Sequence, residues 1–311
     1  MNTNTNTHTK ALIIGTRGSK LAMIQTEKVW SMLLRAIPDI EIAIKVIRTE
    51  GDRDLSVPLS SFGGRGAFVK SIEHSLLHNK IDVAVHSLKD LPSRLPEGLV
   101  LGAVPEREDP RDALVSSNGH TLETLPAGSV IATGSERRRV QIAKNRPDVK
   151  FAGIRGNVET RLSKLDSEDI DAVVLAAAGL RRLGLEERIT QYIEIETILP
   201  APCQGALGLE CRADDSETLS MLEHIDDRDA HICVNAERIF IATLGMGCHT
   251  PVGALARFAG EEIEFRGFVY DEKKDTIIRK TVSADNNTIE EVSEKMAHQF
   301  ISQLADGLLE K

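Results

Sequence analysis

The chain has no stretch approaching the roughly 18 uninterrupted apolar residues of a membrane-spanning helix. The longest candidate, 170–180 (IDAVVLAAAGL), falls well short, so no membrane is expected as a partner. A basic excess is also missing. Thirty-eight Lys and Arg face 47 Asp and Glu, a formal charge of −9. Nucleic acid, which favours basic surfaces, is therefore not expected as a partner either. The four cysteines, at 203, 211, 233 and 248, form no C-x-x-C pair and no metal-ligand spacing, so no metal is expected. Aromatic residues make up only 4% of the chain. The amino terminus, MNTNTNTHTK, lacks the apolar centre of a signal peptide. Residues 1–9 read as a disordered lead-in, and the expected compartment is the cytoplasm, where thiols stay reduced.

What is present is a globular pattern. A chain of 311 residues suits two or three domains and can bury a large share of its surface without staples. Short β-like runs at 11–15, 41–48, 81–87, 99–104, 129–133, 149–154 and 170–176 alternate with amphipathic stretches at 19–36, 67–79, 136–145 and 157–166. That alternation predicts α/β architecture with mixed, mostly parallel sheets, whose ligand sites lie at the carboxyl ends of strands. PEREDPRD (105–112) and ILPAPCQGALG (198–208) look like hinges. Two such crossings predict two lobes, the second inserted into the first, in the manner of periplasmic binding proteins. The expected division is 10–105 with 200–225 as lobe 1 and 106–199 as lobe 2. Residues 226–311 are expected to form a small α+β domain, a three-stranded sheet with helices.

Two places carry chemistry. The strand IDVAVHSLKDLP (81–92) ends on Lys89 and Asp90, side by side before Pro92. Basic residues also recur just past strand ends: Arg17, the run Arg137 to Arg139, Arg155 with Arg161 beyond it, and Arg181 with Arg182. Segment 133–161 holds eight Lys and Arg against three Asp and Glu. Arg grips carboxylates with a planar fork, and helix amino termini add oriented N–H donors. Thr133, Ser135, Gly156 and Asn157 stand where such termini are expected. Each arginine alone reads equally as a solvated helix face with ordinary ion pairs. Their recurrence points to a small ligand with several carboxylates.

The second place is LGMGCHTPVG (244–253), where Cys248 sits in a glycine-flanked loop. A thiol there can serve as nucleophile or attachment point, although a lone cysteine more often packs as a small hydrophobe. Cys203, Cys211 and Cys233 keep the packing role. His86 reads as a partly buried, hydrogen-bonded histidine in a strand. The glycines of SFGGRGAF (61–68) match no phosphate-binding fingerprint and read as a flap.

VAVHSLKDLP, EREDPRDAL, the RRR after TGSE, IRGNVETRLSKL, LAAAGLRRLG and the GCHTPVG loop, in this order, resemble the porphobilinogen deaminase (hydroxymethylbilane synthase) family from about residue 11 to the carboxyl terminus. The resemblance implies a transferase that joins four porphobilinogen molecules head to tail with release of ammonia. It implies a dipyrromethane primer held through a thioether to Cys248, and Asp90 as the catalytic carboxylate. It places carboxylate binding on Arg17, Ser19, Lys89, Arg137, Arg138, Arg155, Arg161 and Arg182, to which Thr133, Ser135 and Gly156 are added as the expected helix-terminus donors. The flap falls on Phe62, Gly63, Gly64 and Arg65, and a monomer is expected.

The chain departs from the family pattern in places. The flap has Ser61 and Arg65 where two lysines are common, Gly245-Met246-Gly247 replaces Glu-Gly-Gly, and Cys203 stands where glycine is common. Two rival readings remain: a non-catalytic two-lobed binding protein for a small polycarboxylate, and a cysteine-nucleophile hydrolase. Asp90 together with Cys248 weighs against the first. The second needs a histidine base beside Cys248.

Overall fold

The computed structural model describes residues 11–47, 69–245, 250–272 and 274–306. The chain divides into two compact units. The first comprises the described residues of Met1–His86, Leu95–Pro105 and Leu207–Asp227, and the second those of Ser87–Arg94, Glu106–Ala206 and Arg228–Lys311.

The first unit is built on a five-stranded sheet in the order β2-β1-β3-β10-β4. Its strands are β1 (Leu12–Thr16), β2 (Ile42–Val46), β3 (Val83–Ser87), β4 (Leu99–Ala103) and β10 (Leu207–Arg212). β1 runs parallel to β2 and β3, while β10 and β4 are antiparallel. The strand β3 is buried on both faces, which is why its sequence is a continuous apolar run rather than an alternation. On one face Leu12, Ile14, Val83 and Leu209 pack against Val29 and Leu33 of helix α1 (Lys20–Ala36). On the other, Ala84 and Leu99 meet Ile72 and Leu76 of α2 (Lys70–Leu77). Each such side chain, fully buried, contributes about 1.5–3 kcal/mol.

Inside this unit, His86 Nε2 lies 3.0 Å from Glu210 Oε2 in a buried pair, as a hydrogen-bonded strand histidine should. Burial and the neighbouring Glu210 push the Glu73 carboxyl upward, against the pull of His86 and Lys70.

The second unit holds another five-stranded sheet, in the order β7-β6-β8-β5-β9. Its strands are β5 (Asp112–Ser116), β6 (Val130–Ala132), β7 (Lys150–Ala152), β8 (Ala172–Ala176) and β9 (Gln191–Ile193). β6 is parallel to β7 and β8, whereas β5 is antiparallel to β8 and β9. Helices α3 (Glu136–Asn145), α4 (Val158–Ser167) and α5 (Ala177–Arg182) follow β6, β7 and β8. α6 (Ser216–Glu223) belongs to the first unit.

Helix α7 (Arg228–Leu244) and helix α8 (Ile289–Asp306) cover a meander of β11 (Val252–Ala259), β12 (Glu262–Asp271) and β13 (Thr276–Ala284). Phe240, Phe265 and Phe300 centre that core, with edge-to-face ring contacts at 5.4 and 5.6 Å. Leu255 and Phe268 of the meander also pack with Val140, Ile195 and Leu199. No described helix is long and apolar enough to cross a membrane.

Mixed α/β sheets and a three-stranded α+β portion are the architecture expected from the sequence. Three strands went unread in it: β5, β9 and β10. β5 opens on Asp112 and β10 carries Glu210 and Arg212, so charged residues interrupt the apolar runs by which a strand is recognised. All three charges are buried and partnered inside the fold.

Candidate active site

β3 feeds directly into one turn of 3-10 helix, Leu88–Asp90. Leu88 is 1% exposed and anchors the turn. Its N–H donates to Ala206 O at 3.0 Å, and Leu91 N–H closes the turn on Leu88 O at 3.1 Å. Pro92 then stops the helix, because it has no N–H to donate. The result is a rigid presentation of two adjacent charges, with Lys89 half-buried and Asp90 exposed. Lys89 Nζ points to Gln204 Oε1 at 3.4 Å. Burial pulls the Lys89 ammonium down to about 8, with Asp90 opposing that fall and Arg138 adding to it.

Arg137 and Arg138 begin α3, immediately after a turn in which Ser135 N–H donates to Thr133 Oγ1 at 3.1 Å. Both guanidiniums are 6% exposed and meet at Asp112, which is wholly buried. Arg138 reaches one carboxylate oxygen with Nε at 3.0 Å and Nη2 at 2.7 Å, and donates Nη1 to Val174 O at 2.8 Å. Arg137 Nη1 lies 2.9 Å from the other oxygen and donates to Leu199 O at 2.6 Å. Burial alone would raise the Asp112 carboxyl. The two guanidiniums outweigh it and hold the group well below the usual carboxylate range. Gln204, 1% exposed, joins the same carboxylate through Nε2 at 2.9 Å.

Arg155, Arg161 and Arg182 belong to the same unit. Arg161 donates Nε to Gly156 O at 2.9 Å, and burial followed by the field of Arg138 lowers its guanidinium, against Asp90. Gly156 has φ +112°, and a Cβ there would lie 2.7 Å from the Thr160 side chain, so only glycine fits. Asn157 next to it caps α4, accepting from Thr160 N–H at 2.8 Å. Arg155 is exposed. Arg182 donates Nη2 to Gly205 O at 2.6 Å. Burial lowers its guanidinium to about 10 despite Glu108, and its buried Nε has no hydrogen-bond partner among the described residues. Gly205 has φ +90°, and a Cβ there would sit 2.2 Å from Glu108 O.

Two expected residues belong to the first unit. Arg17 is half-buried after β1. Ser19 is the N-cap of α1, its Oγ accepting from Ala22 N–H at 3.3 Å. Cys248 and the flap residues Phe62, Gly63, Gly64 and Arg65 lie outside the described residues.

Asp112 and Gln204 were not singled out from the sequence, where both fell in segments read as hinges. A usable signal was present for Asp112: a charge placed directly before the apolar run ALVS is positioned to be buried. Gln204 carried none.

Fold and site together define an α/β protein with buried arginines gathered on Asp112 and an exposed carboxylate, Asp90, beside Lys89 and within the field of Arg161. Residues 12–220 match the model described as porphobilinogen deaminase, dipyromethane cofactor binding domain, and residues 231–302 match the porphobilinogen deaminase C-terminal domain. The porphobilinogen deaminase of Syntrophotalea carbinolica is 45% identical, over 96% of this chain and 95% of that one. That of Shouchella clausii is 47% identical over 97% of each. The chain belongs to the porphobilinogen deaminase family. Among solved structures, a YaeC-family lipoprotein from Enterococcus faecalis overlaps 75% of this chain and 96% of its own at 14% identity, with a TM-score of 0.42. A likeness that faint carries no argument.

Proposed function

We propose that this chain joins four porphobilinogen molecules head to tail, releasing ammonia, to give hydroxymethylbilane, and that Asp90 is the carboxylate on which the reaction turns. The observation that carries the reading is the setting of Asp90. It is an exposed carboxylate on a pinned turn, next to Lys89 and within the electrostatic reach of Arg161.

In each round the C–N bond of the incoming porphobilinogen breaks to release ammonia, its methylene carbon bonds to the free α-carbon of the growing chain, and that α-carbon loses its proton. Water, added at the end, supplies the hydroxyl of hydroxymethylbilane. Positive charge develops on the pyrrole that loses ammonia. A carboxylate held beside it stabilises that charge without reorganising and can accept the pyrrole N–H groups. Two unit charges about 4 Å apart at an effective dielectric near 20 interact by roughly 4 kcal/mol.

The cations answer a different need. Each pyrrole brings an acetate and a propionate, so negative charge accumulates as the chain lengthens. Burial lowers the guanidiniums of Arg161 and Arg182, and the buried Nε of Arg182 has no hydrogen-bond partner among the described residues. These donors fit a dipyrromethane, a polycarboxylate. Lys89, Thr133, Ser135, Arg137, Arg138, Arg155, Gly156, Arg161 and Arg182 are the proposed holders, and Cys248 the proposed thioether attachment. Arg17 and Ser19 keep the carboxylate-binding role as part of the same proposal. When bound, the dipyrromethane supplies the free α-position to which the first substrate unit is joined.

The proposal also includes a monomeric, cytoplasmic enzyme with neither nucleic acid nor membrane as partner. It retains the division into 10–105 with 200–225, 106–199 and 226–311. The test is direct. Purified protein is given porphobilinogen, and released ammonia and tetrapyrrole are followed together. Loss of substrate with matching ammonia supports the reading, and unchanged substrate in the presence of a bound primer overturns it.

A further inference from the structure

Gln204 occupies an unusual position. It is 1% exposed, and its side-chain amide is engaged at both ends. The Nε2 end faces three acceptors: Pro110 O at 2.8 Å, Asp112 Oδ1 at 2.9 Å and, more distantly, Arg111 O at 3.4 Å. An amide nitrogen donates and cannot accept, so those acceptors fix which way round the amide lies. Its oxygen is thereby committed to the other side, where Lys89 Nζ donates to it at 3.4 Å. The backbone of the same segment is equally engaged. Gln204 O accepts from Arg107 Nε at 2.9 Å, Gly205 O from Glu108 N–H at 3.2 Å, and Ala206 O from Leu88 N–H. Segment 204–206 thus holds the Lys89–Asp90 turn by its main chain and the Lys89 ammonium by a side chain.

We propose that Gln204 is a positioning residue. Its amide, oriented by Asp112, relays the carboxylate that anchors Arg137 and Arg138 to Lys89, and keeps Lys89 an ammonium beside Asp90. The inference rests on the functional reading above and deepens it. The charged groups facing Lys89 are Asp90, Asp112, Arg137 and Arg138. Two are like-charged, and burial also disfavours the ammonium. A neutral oxygen acceptor offsets that without adding a second buried anion next to Asp112.

Two variants separate positioning from packing. Gln204→Met keeps length and volume but removes the acceptor. Gln204→Glu keeps an oxygen toward Lys89, whether the new carboxyl is ionised or shares a proton with Asp112. The readout is acetylation of Lys89 against pH, resolved by peptide mass in the full-length protein, with the pH profile of porphobilinogen turnover alongside. In the parent the labelling midpoint is expected at about 8. In Gln204→Met it should fall by about one pH unit, cutting the ammonium fraction at pH 8 about fivefold. The alkaline limb of turnover should move with it. In Gln204→Glu the midpoint should not fall. A Lys89 midpoint that stays put in Gln204→Met, or falls equally in both variants, overturns the proposal. If the midpoint shifts as described while no variant and no parent consumes porphobilinogen, the functional reading fails and the positioning role survives.

Discussion

Asp112 holds Arg138 through a single carboxylate oxygen, which accepts both Nε at 3.0 Å and Nη2 at 2.7 Å. The carboxylate is wholly inside the fold. Removing one partner of such a pair strands the other charge without a counter-ion, which costs about 3–5 kcal/mol. Asp112→Asn should therefore lower the urea unfolding midpoint substantially, and a loss under about 1 kcal/mol would show the pair to be dispensable. The pH dependence has a definite sign. The folded carboxyl lies below its unfolded value of about 3.9, so its contribution is complete above that pH and is lost as the pH falls through the folded value. Asp112→Asn should accordingly flatten the acid limb of stability relative to the parent.

Asp90 is exposed and closes no core contact. Asp90→Asn should leave the melting temperature unchanged and reduce turnover by ~10²–10³, the usual cost of one preorganised electrostatic group. Asp90→Glu moves the carboxylate by about 1 Å and should cost on the order of 100-fold. Steady-state ammonia release from each variant checks both. Near-normal rates would remove Asp90 from the mechanism.

Lys89 gives stability a pH slope of the same sign as Asp112, in a higher pH window. Its folded pKa, about 8, lies below the unfolded value of about 10.4. Between those values the unfolded chain binds more protons than the folded one, so this residue makes stability rise with pH across that window. Melting curves from pH 7 to 10 should show the rise in the parent and a weaker one in Lys89→Met. Identical slopes would mean that the ammonium is not held against solvent.

Cys203 sits at φ +61°, a left-handed backbone that favours glycine. Its Sγ is buried and lies 3.8 Å from Val234 O. Cys203→Ala keeps the backbone strain and loses the sulfur, whereas Cys203→Gly loses more atoms but relieves the strain, worth about 1–2 kcal/mol. The glycine variant should thus be the more stable of the two by thermal melting. The reverse order would show that packing dominates at this position.

Much of the architecture was legible in the sequence because β1, β6 and β7 are short apolar runs followed by helical periodicity. The Lys89–Asp90 pair was visible for the same reason, as a charged stop on an unbroken apolar strand. β10 was hidden because Glu210 and Arg212 break its run, and each has a partner far away in sequence, His86 for Glu210 and Asp82, beside the nearby Asp215, for Arg212. Arg137 and Arg138 illustrate the limit more sharply. Position predicted two cationic forks at a helix start, but not that a residue 26 positions from Arg138 buries a carboxylate between them. Pairings that close over such distances leave no local pattern, and Gln204, an uncharged residue in a Pro- and Gly-rich segment, left none at all. Cys203, by contrast, was noticed only as a departure from a family glycine, and its left-handed backbone gives that glycine a physical reason.

The central claim is that the chain carries a dipyrrole covalently on Cys248 and extends it beside Asp90. The intact mass of the purified protein, measured beside that of Cys248→Ser, tests this most directly. An excess equal to two pyrrole units in the parent, absent from the variant, is the predicted result. A parent at bare polypeptide mass, still unmodified after incubation with porphobilinogen, would contradict it.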